Sequence, residues 1–217
     1  MNFGLALFVS VIAAATAVHF PPNPDHIPRP SPPFPSFPII DPNPQDLDIS
    51  RVVNVNERLV VIMRKHTIET NYRCLSALKK GGSIPGSYQY NLRARNGIHI
   101  EDSYENFNVQ VMLEPLGGTA HGYKATYTQK DKKITLTLKK VDMQEKCFVL
   151  FADHGNNQGG CELLLRKSAL NMEIPKDCLS YYENQCGGVS IQLHEEGCKY
   201  DDVTEFVPLE RGQEPML

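Results

Sequence analysis

The chain predicts an all-β domain: an eight-stranded antiparallel up-and-down barrel followed by a short C-terminal helix. Three observations carry that prediction. Between Arg58 and Leu165, strand-length segments rich in β-branched and aromatic residues recur, most with clean period-2 alternation. Turn residues separate them at short intervals, so sequence neighbours become antiparallel neighbours in space, with one face buried and one wet. Finally, five of the six cysteines lie between Lys146 and Cys198, where a hairpin pattern precedes a Pro-led segment with a second Cys cluster.

The N-terminal segments stand apart from that domain. Asn2 to Ala17 is apolar and uncharged and ends in Ala15-Thr16-Ala17, which predicts a secretory signal peptide over residues 1–17. The run is too short for a membrane span of about 20 residues. No later stretch resembles one, so a soluble, extracellular protein with no membrane partner is expected. Residues 18–44 hold eleven prolines. Proline fixes φ and removes the amide donor, so this segment predicts a disordered, polyproline-like arm. Pro28-Arg29-Pro30 resembles a fragment of antimicrobial proline-rich peptides, but the single Arg29 faces Asp25 and Asp41, and a spacer is the simpler reading.

The globular part is expected over residues 45–200. Asp46 or Asp48 caps a short helix running through Val53 and ending at Asn54 or Asn56. Strands follow at Arg58 to His66 and Tyr72 to Lys79, with Gly81-Gly82 as the next turn. In Ser87 to Ala94, Tyr88, Tyr90 and Leu92 alternate with polar residues, and Asn96-Gly97 turns the chain. Glu105 to Leu113 alternates in the same way, and Gly117-Gly118 with Gly122 bracket another turn. Tyr123 to Thr128, the Asp131-Lys132 turn, and Ile134 to Leu138 make the next pair. Cys147 to Ala152 and Cys161 to Leu165 flank a Gly/Asn-rich turn and complete eight strands. Residues 201–217, with Asp201, Asp202, Glu205 and Glu210, read as a flexible acidic tail.

Composition removes several function classes. A net charge of −3, spread along the chain, does not suit nucleic acid. In an exported chain an even cysteine count reads as a disulfide framework, and the spacings of a structural zinc site are missing, so no metal is expected. There is no Gly-x-Ser-x-Gly elbow, no paired metal-binding histidines and no phosphate-cradling Gly loop. No catalytic residue, no cofactor and no enzyme activity are therefore expected. His154 in the hairpin turn and His121 in a Gly-rich loop are expected to be solvent-exposed.

An eight-stranded barrel has an interior just large enough for one small ligand. Parity proposes an inward stripe of Tyr88, Tyr90, Leu92, Phe107, Val109, Tyr123, Tyr127, Leu136, Phe148, Leu150, Glu162 and Leu164. Most of these fill a core. Several tyrosines in one interior, however, need hydrogen-bond partners, which a wet or liganded cavity supplies. Tyr88, Tyr90, Phe107, Tyr123, Tyr127, Phe148, Glu162 and Leu164 are the candidate ligand-binding residues.

A family resemblance rests on an ordered set of segments: Cys147-Phe148-Val149-Leu150, the Gly155 to Gly160 turn, Cys161-Glu162-Leu163-Leu164-Leu165-Arg166, Pro175 to Cys178, and Tyr182 to Cys186. Val53-Asn54-Val55-Asn56-Glu57, Met63-Arg64-Lys65 and Cys74 to Ala77 add to it. The set resembles the salivary lipocalins of ticks, the histamine-binding-protein group, from about Gln45 to Cys198. The resemblance implies a secreted lipocalin barrel that sequesters a small host mediator, and a monomer is expected. It also implies disulfides Cys74–Cys198 and Cys147–Cys178, leaving Cys161 with Cys186; six cysteines alone allow fifteen connectivities.

The amine binders of that group resemble one another in an acidic residue after the Cys matching Cys147 and in a Glu-Leu-Trp or Glu-Leu-Tyr run. This chain keeps Glu162-Leu163 but has Phe148 in place of the acid and Leu164 in place of the aromatic. An ammonium ligand in a low-dielectric cavity needs charge partners. The departures therefore predict an eicosanoid or fatty-acid type ligand, with histamine or serotonin as the alternative. Glu162 is either a partner in a barrel salt bridge or the anchor of a polar ligand group. A further reading implied by the resemblance is a protein-binding immunomodulator that engages a host plasma or immune protein through its outer loops.

Overall fold

The computed structural model describes residues 46–66, 70–117 and 121–201. The expected signal peptide, the Pro-rich arm and the acidic tail beyond Asp201 lie outside the described residues. The described chain runs α1 (Ser50–Val53), β1 (Leu59–His66), β2 (Tyr72–Ile84), β3 (Ser87–Asn96), β4 (Tyr104–Pro115), β5 (Tyr123–Gln129), β6 (Lys132–Val141), β7 (Cys147–Asp153), β8 (Gly159–Arg166), a 3-10 turn (Lys167–Ala169), α2 (Lys176–Gln185) and β9 (Ile191–Gln192).

Sequential strands from β2 to β8 pair antiparallel, and β1 joins both β8 and β2, which closes the sheet into an eight-stranded barrel. The closing seam is short, because β1 meets β2 only at Leu59 and Val60. Further along β1, the added strand β9 takes the place of β2 at Met63 and Arg64. The β9 segment continues into Leu193, whose amide donates to Ile62 O at 2.8 Å and whose carbonyl accepts from Cys74 N at 2.7 Å. Leu193 is fully buried in the inner core. Cys74 itself has φ +55, an irregular backbone that lets β2 part from β1 there.

The local turns follow ordinary turn chemistry. Lys130 and Asp131 take φ of +49 and +63, a left-handed pair suited to a two-residue hairpin. The β2–β3 hairpin turns at Pro85-Gly86, with Gly86 at φ +80, not at Gly81-Gly82 as expected, because both of those glycines stay in the strand. Gly82 is needed for a different reason. A side chain there would meet Ser87 O at 2.9 Å across the hairpin.

Two apolar cores share the β7–β8 hairpin. Inward-facing Phe148, Leu150 and Leu164 join Val61, Tyr90, Val109 and Leu138 inside the barrel. Outward-facing Val149, Phe151, Leu163 and Leu165 pack with Val60 and Ile62 around Tyr182 of α2. Disulfides join Cys147 to Cys178, Cys161 to Cys186 and Cys74 to Cys198, and all six half-cystines pack with this outer core. Lys65 adds a polar clamp: its Nζ donates to the carbonyls of Tyr182, Glu183 and Cys186 at 2.9–3.2 Å, where the C-terminal end of α2 leaves carbonyls unpaired.

Candidate functional site

A cavity of about 270 Å³ occupies the barrel interior. Its wall is mainly aliphatic and aromatic, with Leu75, Leu92, Phe107, Val109, Ile134 and Leu150 among its members. Helix α1 closes one end. Ile49, Val52 and Val53 line the cavity there and are nearly fully buried. Asp48 fixes this plug, because its Oδ1 accepts from Ser50 N at 3.0 Å and from Tyr123 N at 3.1 Å. The Val53 carbonyl accepts from Lys79 Nζ at 3.0 Å and from the Tyr90 hydroxyl at 3.4 Å.

Polar groups gather toward the opposite end, where Arg64, Thr70, Tyr72, Tyr127, Gln129, His154 and Glu162 line the cavity. A β-bulge puts Arg64 there. Val61 and Met63 take consecutive partners on β8, Leu164 and Leu163, and leave Ile62 between them unpaired. Ile62 and Met63 therefore both face the outer core, and Arg64 then points inward, directly opposite Glu162. Strict alternation would have sent Met63 and Lys65 inward. The bulge instead sends Lys65 out to α2 and brings His66 in beside Glu162.

The electrostatics of this end follow from burial. The His66 side chain is 0% exposed, with Nε2 at 3.4 Å from Glu162 Oε1, an approach that lacks hydrogen-bond direction. Burial, with Arg64 and His154 adding, pushes the His66 imidazole down to about 3. The His154 ring stands edge-on to it at 5.6 Å between centroids, and its pKa is lowered by burial and by Arg64. Burial raises the Glu162 carboxyl, opposed by Arg64. Tyr127 is raised by burial and then by Glu162.

The predicted site residues divide. Tyr90, Phe107, Tyr127, Glu162 and Leu164 line the cavity. Phe148 is 0% exposed but sits in the packed part of the inner core, opposite Val141 and Leu164, and does not reach the cavity. Tyr88 packs against that core without lining the void, and Lys79 Nζ lies 6.0 Å from its ring centre. Tyr123, at the start of β5, is 43% exposed. All three lie near the strand ends on the α1 side; parity fixes a face but not a depth along the barrel. His154, expected in solvent, is half-buried on the cavity wall, whereas His121 is exposed. Arg64, which lines the cavity, and His66, which stands beside Glu162 without lining it, were missed because the bulge reverses parity, and nothing in the local sequence marks it.

One other donor cluster exists among the described residues, formed by Asp142, Cys147 and Cys178. Its two sulfurs are bonded to each other, and Asp142 Oδ1 accepts from the Lys146 and Cys147 amides at 2.6 and 2.8 Å. It is a capped turn, not a ligand set.

A family model described as tick histamine binding protein matches residues 43–200. Among solved structures, Japanin from Rhipicephalus appendiculatus bound to cholesterol is similar, at 13% identity and a TM-score of 0.49, over 65% of this chain and 95% of that one. No curated protein matches by sequence. Among the described residues, no helix is long and apolar enough to cross a membrane.

Proposed function

The chain belongs to the tick histamine-binding protein family, and from that premise we propose that it is a secreted salivary lipocalin that encloses one small, mainly hydrophobic host mediator of the eicosanoid or fatty-acid type. Its action is sequestration, not catalysis: removing the mediator suppresses host inflammation or haemostasis. The observation that carries the reading is the cavity wall, mainly aliphatic and aromatic, with most of its polar side chains, Ser76 and Arg93 apart, gathered at one end. An amphipathic molecule matches that gradient, its apolar body among Leu92, Phe107, Val109 and Leu150 and its polar end near Glu162. Burial of apolar surface, at roughly 25 cal/mol per Å², supplies most of the affinity of such a complex.

One observation favours the amine alternative. Glu162 stands on the cavity wall, where a carboxylate is available to an ammonium group. Against it, Arg64 lies directly opposite in the β1–β8 register and competes for the same carboxylate. Native mass spectrometry of the protein from its own tissue should reveal a retained apolar molecule. Calorimetric titration should then show uptake of eicosanoids or fatty-acid derivatives and weaker uptake of histamine and serotonin. Sub-micromolar amine binding with no uptake of the lipid series would overturn the ranking.

A further inference from the structure

The polar end of the cavity and the wall directly behind it hold ring nitrogens, of His154 on the wall and of His66 behind it, that no described residue hydrogen-bonds. The His66 side chain is 0% exposed, and neither of its ring nitrogens has a hydrogen-bond partner among the described residues. Nε2 of His154, buried beside it, has none either. Buried polar groups are nearly always bonded in folded proteins, so a cluster of unbonded ones marks a place where another molecule completes the set. A metal ion is a poor candidate. Among the described residues, only Asp142, Cys147 and Cys178 bring three donor atoms within 4.8 Å of one another.

Resting on the reading that the barrel holds a small molecule, we infer that the end of that molecule read by His154 and Glu162 is an uncharged hydrogen-bonding group, a hydroxyl above all. A neutral imidazole offers one donor and one acceptor, a carboxylate accepts, and a hydroxyl both donates and accepts, so one hydroxyl can serve His154 and Glu162 together. Both rings are pushed toward the neutral form. Burial and the nearby Arg64 hold His66 down to about 3 and lower His154. A charged end group is served less well. Arg64 and Glu162 face each other across the β1–β8 pair. A ligand carboxylate must draw Arg64 away from Glu162, and a ligand ammonium must draw Glu162 away from Arg64. Either exchange leaves a buried charge less compensated than before. In an eicosanoid or fatty-acid derivative, the hydroxyl, not the carboxylate, is the group this end selects.

Three probes with one apolar skeleton test this: dodecanol, dodecanoic acid and dodecylamine, each titrated calorimetrically into the disulfide-intact protein near neutral pH. The alcohol should bind about tenfold more tightly than either charged partner, the worth of one well-placed hydrogen bond. Replacing Glu162→Gln removes the counter-charge of Arg64 and should move the preference toward the acid by a similar factor. Replacing His154→Phe should weaken the alcohol about tenfold and leave the acid-to-amine ratio unchanged. Acid or amine binding as tight as the alcohol in the unaltered protein overturns the inference and leaves the carrier reading standing. Failure of all three probes to bind overturns the carrier reading itself.

Discussion

The two faces of the β7–β8 hairpin build cores of opposite character. Outward, Val149, Phe151, Leu163 and Leu165 pack beneath α2 with all six half-cystines, and none of these residues borders the cavity. Inward, Leu150, Glu162 and Leu164 border a void of about 270 Å³. The difference lies in what closes each face. Outside, a helix lies down on the sheet and covalent bridges hold it. Inside, small side chains such as Ala77 and Ala125 stand on the barrel wall and do not fill the middle. An underfilled core costs stability. Here the cross-links that offset that cost sit on the other face of the same strands, so binding and stability are carried by different residues.

That separation can be broken experimentally, and the largest effect is expected on the outer side. Replacing both Cys74 and Cys198 by Ala removes a bridge spanning 124 residues, a loss of about 5 kcal/mol on the chain-entropy view. Denaturant unfolding should show it, and any ligand bound by the surviving folded fraction should be bound with unchanged preference among alcohol, acid and amine. A changed preference would mean that the two cores are not independent.

The packed part of the inner core comes next. Phe148→Ala empties a fully buried site and should cost about 3–5 kcal/mol. It should also extend the void toward α1 and favour longer-chain ligands over shorter ones. If only stability changes, the void near α1 does not communicate with the cavity.

The smallest effect isolates one titrating group. A His held down to about 3 in the fold, against 6.5 unfolded, takes up its proton in the unfolded chain first. Its contribution is whole above about pH 6.5 and is lost as pH falls toward 3. At pH 5 the loss is about 2 kcal/mol, from roughly 1.36 kcal/mol per pH unit. Glu162, whose pKa is raised, acts with the opposite sign, losing its contribution as pH rises above its unfolded value. The comparison is therefore between the unaltered protein and His66→Gln. The unaltered protein should lose about 2 kcal/mol more than the variant between pH 7.5 and pH 5, read by denaturant midpoints. Equal losses would place His66 in a solvated setting.

Much of this molecule was written locally. Alternation in Tyr88 to Leu92, in Phe107 to Val111 and in Phe148 to Leu150 assigns the inward face of three strands, because side chains on a strand point alternately to its two faces. The Glu162/Leu163/Leu164 pattern is read as correctly. The expected cap is only partly met: the N-cap of the short helix is Ile49, which has no side-chain cap, while Asp48 beside it accepts from the Ser50 amide. The bridges, by contrast, entered through family resemblance, since spacing leaves the pairing open.

What remained for the tertiary structure to decide was depth and phase. Depth separates Tyr90, which lines the cavity, from Tyr88, two residues away on the same face, and it removes Phe148 and Tyr123 from the wall. It depends on strand stagger and on α1 filling one end, and both are long-range. Phase was changed by the single unpaired residue Ile62, which turned Arg64 and His66 inward. A bulge is set by how β1 meets β8 on one side and β9 on the other, partners a hundred or more residues away in sequence. Periodicity within one strand therefore cannot report it, and the place of Arg64 and His66 beside Glu162 became visible only when the barrel closed.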